Sequence, residues 1–365
     1  MTDARTVTDA RTVTDARTVT DARTVTDART ATDTLTVHRA GLAAVQDLGR
    51  FGHSRYGLPV NGALDQHSAR VANVLAGNDE GAPLVEITAL DFGCTPSTDI
   101  LIAVTGAPAD VTVGGVPRPM WEPLPVRAGE TIAVSGIRLG LRVYLAVLGS
   151  VDTPSLLGSC APDTILGFGR SLRDGDELAL RTSCPPVAHP VFGIPLFRVH
   201  APVAHCAESW TVDVTDGPDL AEFGDTAERL FRSPFTVTPR SNHIGLRMSG
   251  DVPRRVATGE VLSRGVPVGA VEVPAGDELL VLHRGRGVTA GYPVLAVVTA
   301  TGLSALGQAR PGQSVRFRHR TVEEAVADYR SQRHAVRALA TRVRTVFDEL
   351  RIPVPSATPS VPSPV

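Results

Sequence analysis

A dense cluster of polar side chains lies between residues 46 and 65, and glycines interrupt it at short intervals. Because glycine has no Cβ, this composition predicts a tightly turned loop whose backbone can approach a small anionic ligand. An arginine there can hold a carboxylate through paired hydrogen bonds, and a histidine can exchange a proton near neutral pH. We therefore predict catalytic roles for Arg50 and His53 and a substrate-binding role for Asn61.

The same residues also permit a structural interpretation. Asp47 and Arg50 would pair and brace the loop, while Asp65 would cap the helix that follows it. For Arg50 and His53 the sequence leaves both interpretations open. For Asp65 it favours the helix cap.

A second glycine-rich segment spans residues 284–293, between two predicted strands. Arg286, Thr289 and Tyr292 could supply hydrogen-bond donors to an oxyanion or a phosphate, so we predict that they bind substrate. A plain connecting hairpin would have a similar composition, and this alternative stays open.

Two further polar residues stand next to apolar strands in the second half of the chain. Asn242, with His243 beside it, precedes a predicted strand and is a candidate for substrate binding. Glu272 is flanked by apolar residues and is a candidate catalytic group. An exposed strand face would give the same pattern at Glu272.

Composition excludes several classes of function. The net charge of −2 and the isoelectric point near 6.6 give no electrostatic reason to expect a nucleic-acid or membrane partner. All 36 basic residues are arginines, since the sequence contains no lysine. A Schiff-base lysine, a lysine-containing phosphate-binding loop and a covalently attached biotin are therefore excluded on this chain.

Metal binding and export are not expected either. The 4 cysteines lack the C-x-x-C spacing of zinc and redox sites, and His200, His205 and Cys206 alone do not form a zinc signature. The N-terminus has no signal-peptide pattern, and no apolar stretch has the length needed to span a bilayer. We expect no metal and a cytoplasmic location.

Short apolar runs separated by turns dominate the sequence and predict a mainly β fold with few helices. A glycine followed by an acidic or amide residue precedes four predicted strands, two on each side of about residue 185, which indicates two related β-barrel-like halves. We predict two β domains, the first at residues 35–185 and the second at residues 186–320, followed by a C-terminal helix at residues 321–350. A disordered hexapeptide-repeat leader at residues 1–34 would precede them, and a disordered Pro-rich tail at residues 351–365 would follow.

Two helices have clear end signals. Asp65 can cap a helix that ends near Gly77, and Thr321 with Glu324 forms a capping box at the start of a long amphipathic segment. We expect that terminal helix to pack on the second half or on a partner subunit. The proline-rich stretch 184–202 is the predicted domain junction.

Four blocks of sequence resemble the carboxyltransferase family that includes the C subunit of 5-oxoprolinase and the carboxyltransferase region of urea carboxylase. They are Val45-Gln-Asp-Leu-Gly-Arg-Phe-Gly52, the segments 57–65 and 72–78, and Glu86-Ile-Thr88. The resemblance continues through Gly291-Tyr-Pro293 and covers roughly residues 35–330.

The resemblance implies two cyclophilin-like β domains and a role beside two companion proteins, which are similar to the B and A subunits of 5-oxoprolinase. It implies ATP-dependent opening of 5-oxo-L-proline to L-glutamate, with ATP shared between this chain and its partner. A biotin-dependent carboxyltransferase that uses a separate biotin carrier, or a non-catalytic regulator of a partner protein, are the alternatives.

Several positions depart from the family's usual residues. Ser241-Asn-His-Ile-Gly245 stands where relatives usually have Ser-Asp-Arg-Met-Gly, and Glu272 replaces a usual Gln. Gly285-Arg-Gly-Val-Thr289 lacks an acid, an amide and a hydroxyl that relatives usually carry. Cys160 stands in place of a usual Arg.

Overall fold

The structure, a computed structural model, describes residues 33–181, 199, 201–204, 206–274 and 278–354. The chain from Asp33 onward forms one compact unit. The repeat leader up to residue 32, most of the proposed junction and the end of the Pro-rich tail lie outside the described residues, as do His200 and His205. Those predictions, and the division into domains, stay predictions. The predicted end of the leader at residue 34 is wrong, because Thr34 begins the first strand.

The first half of the described chain is built from strands in two sheets. One sheet has the order β11-β1-β4-β9-β6-β7 and the other the order β2-β3-β10-β5-β8. Their bounds are β1 Thr34–Arg39, β2 Ala44–Gln46, β3 Leu84–Thr88, β4 Phe92–Pro96, β5 Ile100–Gly106, β6 Asp110–Val113, β7 Val116–Arg118, β8 Pro123–Val126, β9 Ile132–Ser135, β10 Arg142–Val147 and β11 Glu177–Ala179.

Strand β5 shows why the two sheets enclose separate cores. Every residue of the strand is buried, and side chains of a strand alternate between its faces. Ile102 and Val104 therefore join the core between the two sheets, whereas Leu101 and Ala103 join a second core on the opposite face.

The second half closes into a barrel in the order β12-β19-β16-β17-β14-β13-β20, beside the short pair β15-β18. The parallel pairing of β12 with β20 closes it, and Phe235, Phe317 and Val212 lie in its core. The bounds are β12 Ser209–Asp216, β13 Phe235–Val237, β14 Gly245–Ser249, β15 Arg264–Gly265, β16 Ala270–Glu272, β17 Glu278–Leu282, β18 Thr289–Ala290, β19 Val294–Val298 and β20 Ser314–His319. The predicted mainly β fold is confirmed.

The helices are α1 Gln66–Leu75, α2 Arg229–Arg232, α3 Ala300–Gln308 and α4 Val322–Glu349, with 3-10 turns at Ser54–Tyr56 and Leu220–Glu228. The cap predicted for α1 is confirmed, because the Asp65 side chain accepts a hydrogen bond from the Ser68 backbone N–H at 3.1 Å. The capping box of Thr321 and Glu324 at the start of α4 is also confirmed.

Helix α4 packs on both halves, against α1 of the first and against α3 and β12 of the second. The expected packing on the second half is therefore confirmed in part, and packing on a partner subunit stays a prediction. The buried face of α4, which includes Leu339 and Phe347, joins Ala72 and Leu75 of α1 in one apolar cluster. The small residues of α1 allow this close contact. Among the described residues, no helix is long and apolar enough to cross a membrane.

Candidate functional site

A cavity of about 850 Å³ lies between the two halves. We call it the interdomain cavity. Its first-half wall comes from β2, β3, the start of β10 and the segment 162–171, and its second-half wall comes from residues 241–246, Gly285 and the end of α3. Both halves are therefore needed to form it.

The polar floor of the cavity consists of Glu86 on β3 and Arg142 on β10. The Arg142 Nε atom lies 3.5 Å from Glu86 Oε1, and the Tyr144 hydroxyl donates to Glu86 Oε2 at 2.8 Å. Burial, reinforced by the charge of Glu86, raises the pKa of Tyr144, so the phenol keeps the proton that it donates. The carboxylate of Glu86 is thereby held in one orientation.

Two polar atoms of this cavity have no hydrogen-bond partner among the described residues. They are Arg142 Nε and Gln46 Oε1, and both are buried. Buried polar groups in folded proteins are nearly always hydrogen bonded, so unsatisfied atoms in a cavity wall indicate a place for a ligand or water. The cavity wall therefore holds one donor and one acceptor without a hydrogen bond.

Gln308, at the end of α3, ties the floor to the second half. Its Oε1 atom accepts hydrogen bonds from the backbone N–H groups of Leu141 and Arg142 at 2.9 and 2.8 Å. Its Nε2 atom donates to Asp65 Oδ2 at 2.8 Å and to the Arg142 carbonyl at 3.0 Å. Asp65 thus has a second role beyond the helix cap, because it fixes the contact between the halves.

His243 borders the cavity from the second half. Burial, followed by the positive charge of Arg142, lowers the pKa of His243, so its imidazole is neutral at neutral pH and can accept a proton. The neighbouring loop leaves no space for another side chain, since a Cβ on Gly285 would lie 2.4 Å from His243 Cδ2. This close approach explains the glycine at position 285.

Two of the predicted substrate-binding residues, Asn61 and Asn242, line the interdomain cavity. Asn61 has a positive φ of 55° and donates from Nδ2 to Asp163 Oδ2 at 2.9 Å. Asn242 accepts a hydrogen bond from the Ile244 backbone N–H at 2.9 Å through Oδ1, which leaves its side-chain N–H groups for other partners.

Arg50 is 1% exposed and is not among the described residues that line the cavity. Its guanidinium donates to Asp163 Oδ2 at 3.0 Å and to the Ala161 carbonyl at 2.6 Å. The structural interpretation, in which Arg50 braces the loop by an ion pair, was right that Arg50 is paired, but its partner is Asp163 and not Asp47. Asp47 instead accepts hydrogen bonds from Ser159 Oγ and from the Cys160 backbone N–H, both at 2.7 Å.

His53 lies outside the described cavity wall. It precedes the 3-10 turn and stacks on Tyr56, with ring centroids 6.3 Å apart. Its Nδ1 atom is buried without a hydrogen-bond partner among the described residues. The structure does not bring His53 together with Asn61 or Asn242 in the cavity.

The remaining predicted site residues lie in the second half, away from the described cavity wall. Glu272, on β16, is 1% exposed, and burial raises its pKa to about 7. Arg286 is buried and donates from Nε and Nη2 to the Val266 carbonyl at 3.0 and 2.8 Å. Thr289, in β18, and Tyr292, just after it, are exposed.

Sequence reasoning missed Glu86, Arg142 and Asp163 as site residues. Two of them carried a weak signal: Glu86 is an acid inside an apolar strand, and Arg142 opens another apolar strand. Such isolated charges are buried only when they have partners, and those partners lie far away in sequence. His243 was noted only as a neighbour of Asn242.

Comparisons with known proteins agree with this architecture. The family model described as carboxyltransferase domain, subdomain A and B, matches residues 56–319. The chain is 32% identical to the C subunit of the 5-oxoprolinase of Escherichia coli over 323 residues, which cover 85% of this chain and 98% of that one.

Larger proteins contain a similar region. The chain is 30% identical to the urea amidolyase of Lachancea kluyveri, with 85% of this chain aligned to 18% of that protein. The crystal structure of the K. lactis urea amidolyase superposes with a TM-score of 0.76 at 26% identity, covering 84% of this chain and 20% of that one.

The chain therefore spans nearly the whole length of the bacterial relative and about a fifth of the urea amidolyase chain. The family match covers most of the two halves that enclose the cavity, and the relatives resemble this chain in sequence and in fold. This chain belongs to the family of carboxyltransferase domains, subdomains A and B.

Proposed function

We propose that this chain is a subunit of an ATP-dependent 5-oxoprolinase, which opens 5-oxo-L-proline to L-glutamate together with a partner subunit. The supporting structural observation is the interdomain cavity, which Gln46, Glu86, Arg142 and His243 line and where Arg142 Nε and Gln46 Oε1 make no hydrogen bond to a described residue. Similarity to the C subunit of a bacterial 5-oxoprolinase over almost its entire length favours this activity over that of a multidomain enzyme.

The cavity groups suit a small cyclic amide that carries a carboxylate. Arg142 can donate through Nε to the substrate carboxylate, and Gln46 Oε1 can accept the lactam N–H. Neutral His243 can accept a proton from the attacking water. Its pKa, lowered by burial, keeps it in the basic form at neutral pH.

Coupling to ATP follows from the chemistry of the amide bond. Resonance stabilises the lactam as it does a peptide bond, and phosphorylation of the carbonyl oxygen would make its carbon more electrophilic. The cavity of about 850 Å³ lies within the range of about 300 to 1,000 Å³ that is typical of small-molecule sites. We propose that ATP is shared with companion proteins that resemble the B and A subunits of 5-oxoprolinase.

Biotin-dependent carboxyl transfer is the second candidate, and the matching family description favours it. Biotin would have to arrive on a separate carrier, because the sequence has no lysine to which it could be attached. Arg142 Nε and Gln46 Oε1 would then bind the carboxylated ring of biotin.

The test is turnover by the assembled complex. We expect the wild-type chain, co-expressed with its companion subunits, to form glutamate from 5-oxoproline only when ATP is present. A folded complex with no glutamate formation contradicts the proposal. Carboxylation of an acceptor by added carboxybiotin would then support carboxyl transfer, and inhibition of a bound partner would support regulation.

A further inference from the structure

A second, smaller cavity of about 240 Å³ lies where α1, α3 and α4 meet the segment that follows β17. It shares no lining residue with the interdomain cavity among the described residues. We call it the arginine cavity, because Arg70 of α1, Arg284 and Arg333 of α4 all line it. It is a separate place on the molecule and is not used in the proposed reaction.

The charge of the arginine cavity is strongly unbalanced. None of the described residues that line it is acidic. The nearest carboxylate in contact with its arginines is Glu80, whose Oε2 atom lies 2.7 Å from Arg70 Nη1 and 2.5 Å from Arg333 Nη1. One carboxylate therefore pairs with two guanidinium groups, and the third guanidinium of the cavity has no carboxylate among the described residues.

Arg284 is that third group, and it is 7% exposed. Its Nε atom is buried without a hydrogen-bond partner, and its guanidinium makes no ion pair with any residue in the described part of the chain. Burial and the neighbouring charge of Arg70 lower the pKa of Arg284 to about 10, which still leaves it protonated at neutral pH. A buried cation without a counter-ion is costly, so an anion bound beside it would relieve the cost.

We propose that the arginine cavity is a binding site for a small tetrahedral oxyanion such as inorganic phosphate. Guanidinium groups bind phosphate oxygens through strong, charge-assisted hydrogen bonds. The three arginines come from three different segments and so approach from different directions, which suits a tetrahedral anion better than a planar carboxylate.

Size limits the ligand to the anion itself. The volume of about 240 Å³ is below the range of about 300 to 1,000 Å³ that is typical of drug-sized ligands, so a whole nucleotide does not fit. Because the walls come from α1 and α4, a bound anion would also link the terminal helix to the first half.

The test measures phosphate binding to the full chain by equilibrium dialysis, at constant ionic strength maintained with chloride. We expect saturable binding of one phosphate per chain, with sulfate competing for it. The Arg284→Met and Arg333→Gln variants should bind at least tenfold more weakly, which corresponds to about 1.4 kcal/mol. Arg337→Gln, an exposed arginine one turn further along α4, is the matched control and should bind like the wild type.

Thermal melts keep the test interpretable if one variant is unstable. Phosphate should raise the melting temperature of the wild type and of Arg337→Gln more than chloride does, and it should not do so for either cavity variant. Equal phosphate binding by all four proteins, no saturable binding by the wild type, or competition by acetate but not by sulfate would each overturn the proposal.

Discussion

The polar loop at residues 46–65 and the floor of the interdomain cavity use their charged residues in opposite ways. Arg50 of the loop donates to Asp163 and to the Ala161 carbonyl and lies outside the described cavity wall. Arg142 of the floor lines the cavity, and its Nε atom lies 3.5 Å from Glu86 Oε1.

The polar density of the loop therefore predicts the site only in part, because Gln46 and Asn61 line the cavity whereas Arg50 and His53 do not. In the loop, Arg50 pairs with Asp163 and the Ala161 carbonyl of a second segment and so stabilises the fold, although its Nε atom makes no hydrogen bond to a described residue. On β3 and β10, Glu86 and Arg142 pair with each other and line the cavity, so these charged residues lie where a ligand would bind.

Replacing Arg50 should give the largest loss of stability. Arg50→Met leaves the buried carboxylate of Asp163 without its ion-pair partner, which typically costs about 3 to 5 kcal/mol. Urea unfolding of the purified chain measures this loss. Arg55→Met, an exposed arginine of the same loop, is the control and should cost less than about 1 kcal/mol. A similar, small effect of both substitutions would remove the contrast between loop and floor.

Glu272 provides a pH-dependent comparison within the second half. Its pKa of about 7 in the folded chain exceeds the ordinary value of 4.5, so the folded state holds a proton that the unfolded state releases between these values. The stability of the wild type should therefore fall as pH rises from 4.5 to 7, by about 1.4 kcal/mol per pH unit from this group.

Glu272→Gln removes that dependence. The free energy of unfolding of the variant, relative to that of the wild type, should rise by on the order of 3 kcal/mol between pH 4 and pH 8, because glutamine does not titrate. Urea unfolding at a series of pH values measures the gain. Glu177→Gln, at an exposed position of β11, should run parallel to the wild type, and a parallel curve for Glu272→Gln would contradict the assigned pKa.

Tyr144→Phe should have the smallest of these effects. The change removes the hydroxyl that donates to Glu86 and accepts from the Asp65 backbone N–H at 2.9 Å. Loss of these neutral and charge-assisted contacts typically costs about 1 to 2 kcal/mol. Thermal unfolding measures it, and a cost above that of Arg50→Met would reverse the ranking of loop and floor.

Local signals predicted much of the fold but not the site. The caps at Asp65 and Thr321 depend on residues three positions away, and the strands depend on apolar runs, so both can be read from short segments. The partners that define the site are distant: Arg50 and Asp163 are 113 residues apart, and Gln308 and Asp65 are 243 residues apart. No local pattern encodes such contacts.

Helix α3 shows a second reason for failure. It contains Gly302 and Gly307, which lower helix propensity by about 1 kcal/mol each relative to alanine, so the segment did not look helical. The structure explains Gly307, because a Cβ there would lie 2.7 Å from the carbonyl carbon of Leu64. Close packing between the halves outweighs local propensity at this position.

We propose that the chemistry occurs at the floor of the interdomain cavity. The most direct test is the rate of glutamate formation from 5-oxoproline by the assembled complex carrying Glu86→Gln, compared with Glu177→Gln as control. We expect a loss of at least 100-fold for Glu86→Gln, with the complex intact, because the change removes the charge that orients Arg142. Wild-type turnover by the Glu86→Gln complex would contradict the account.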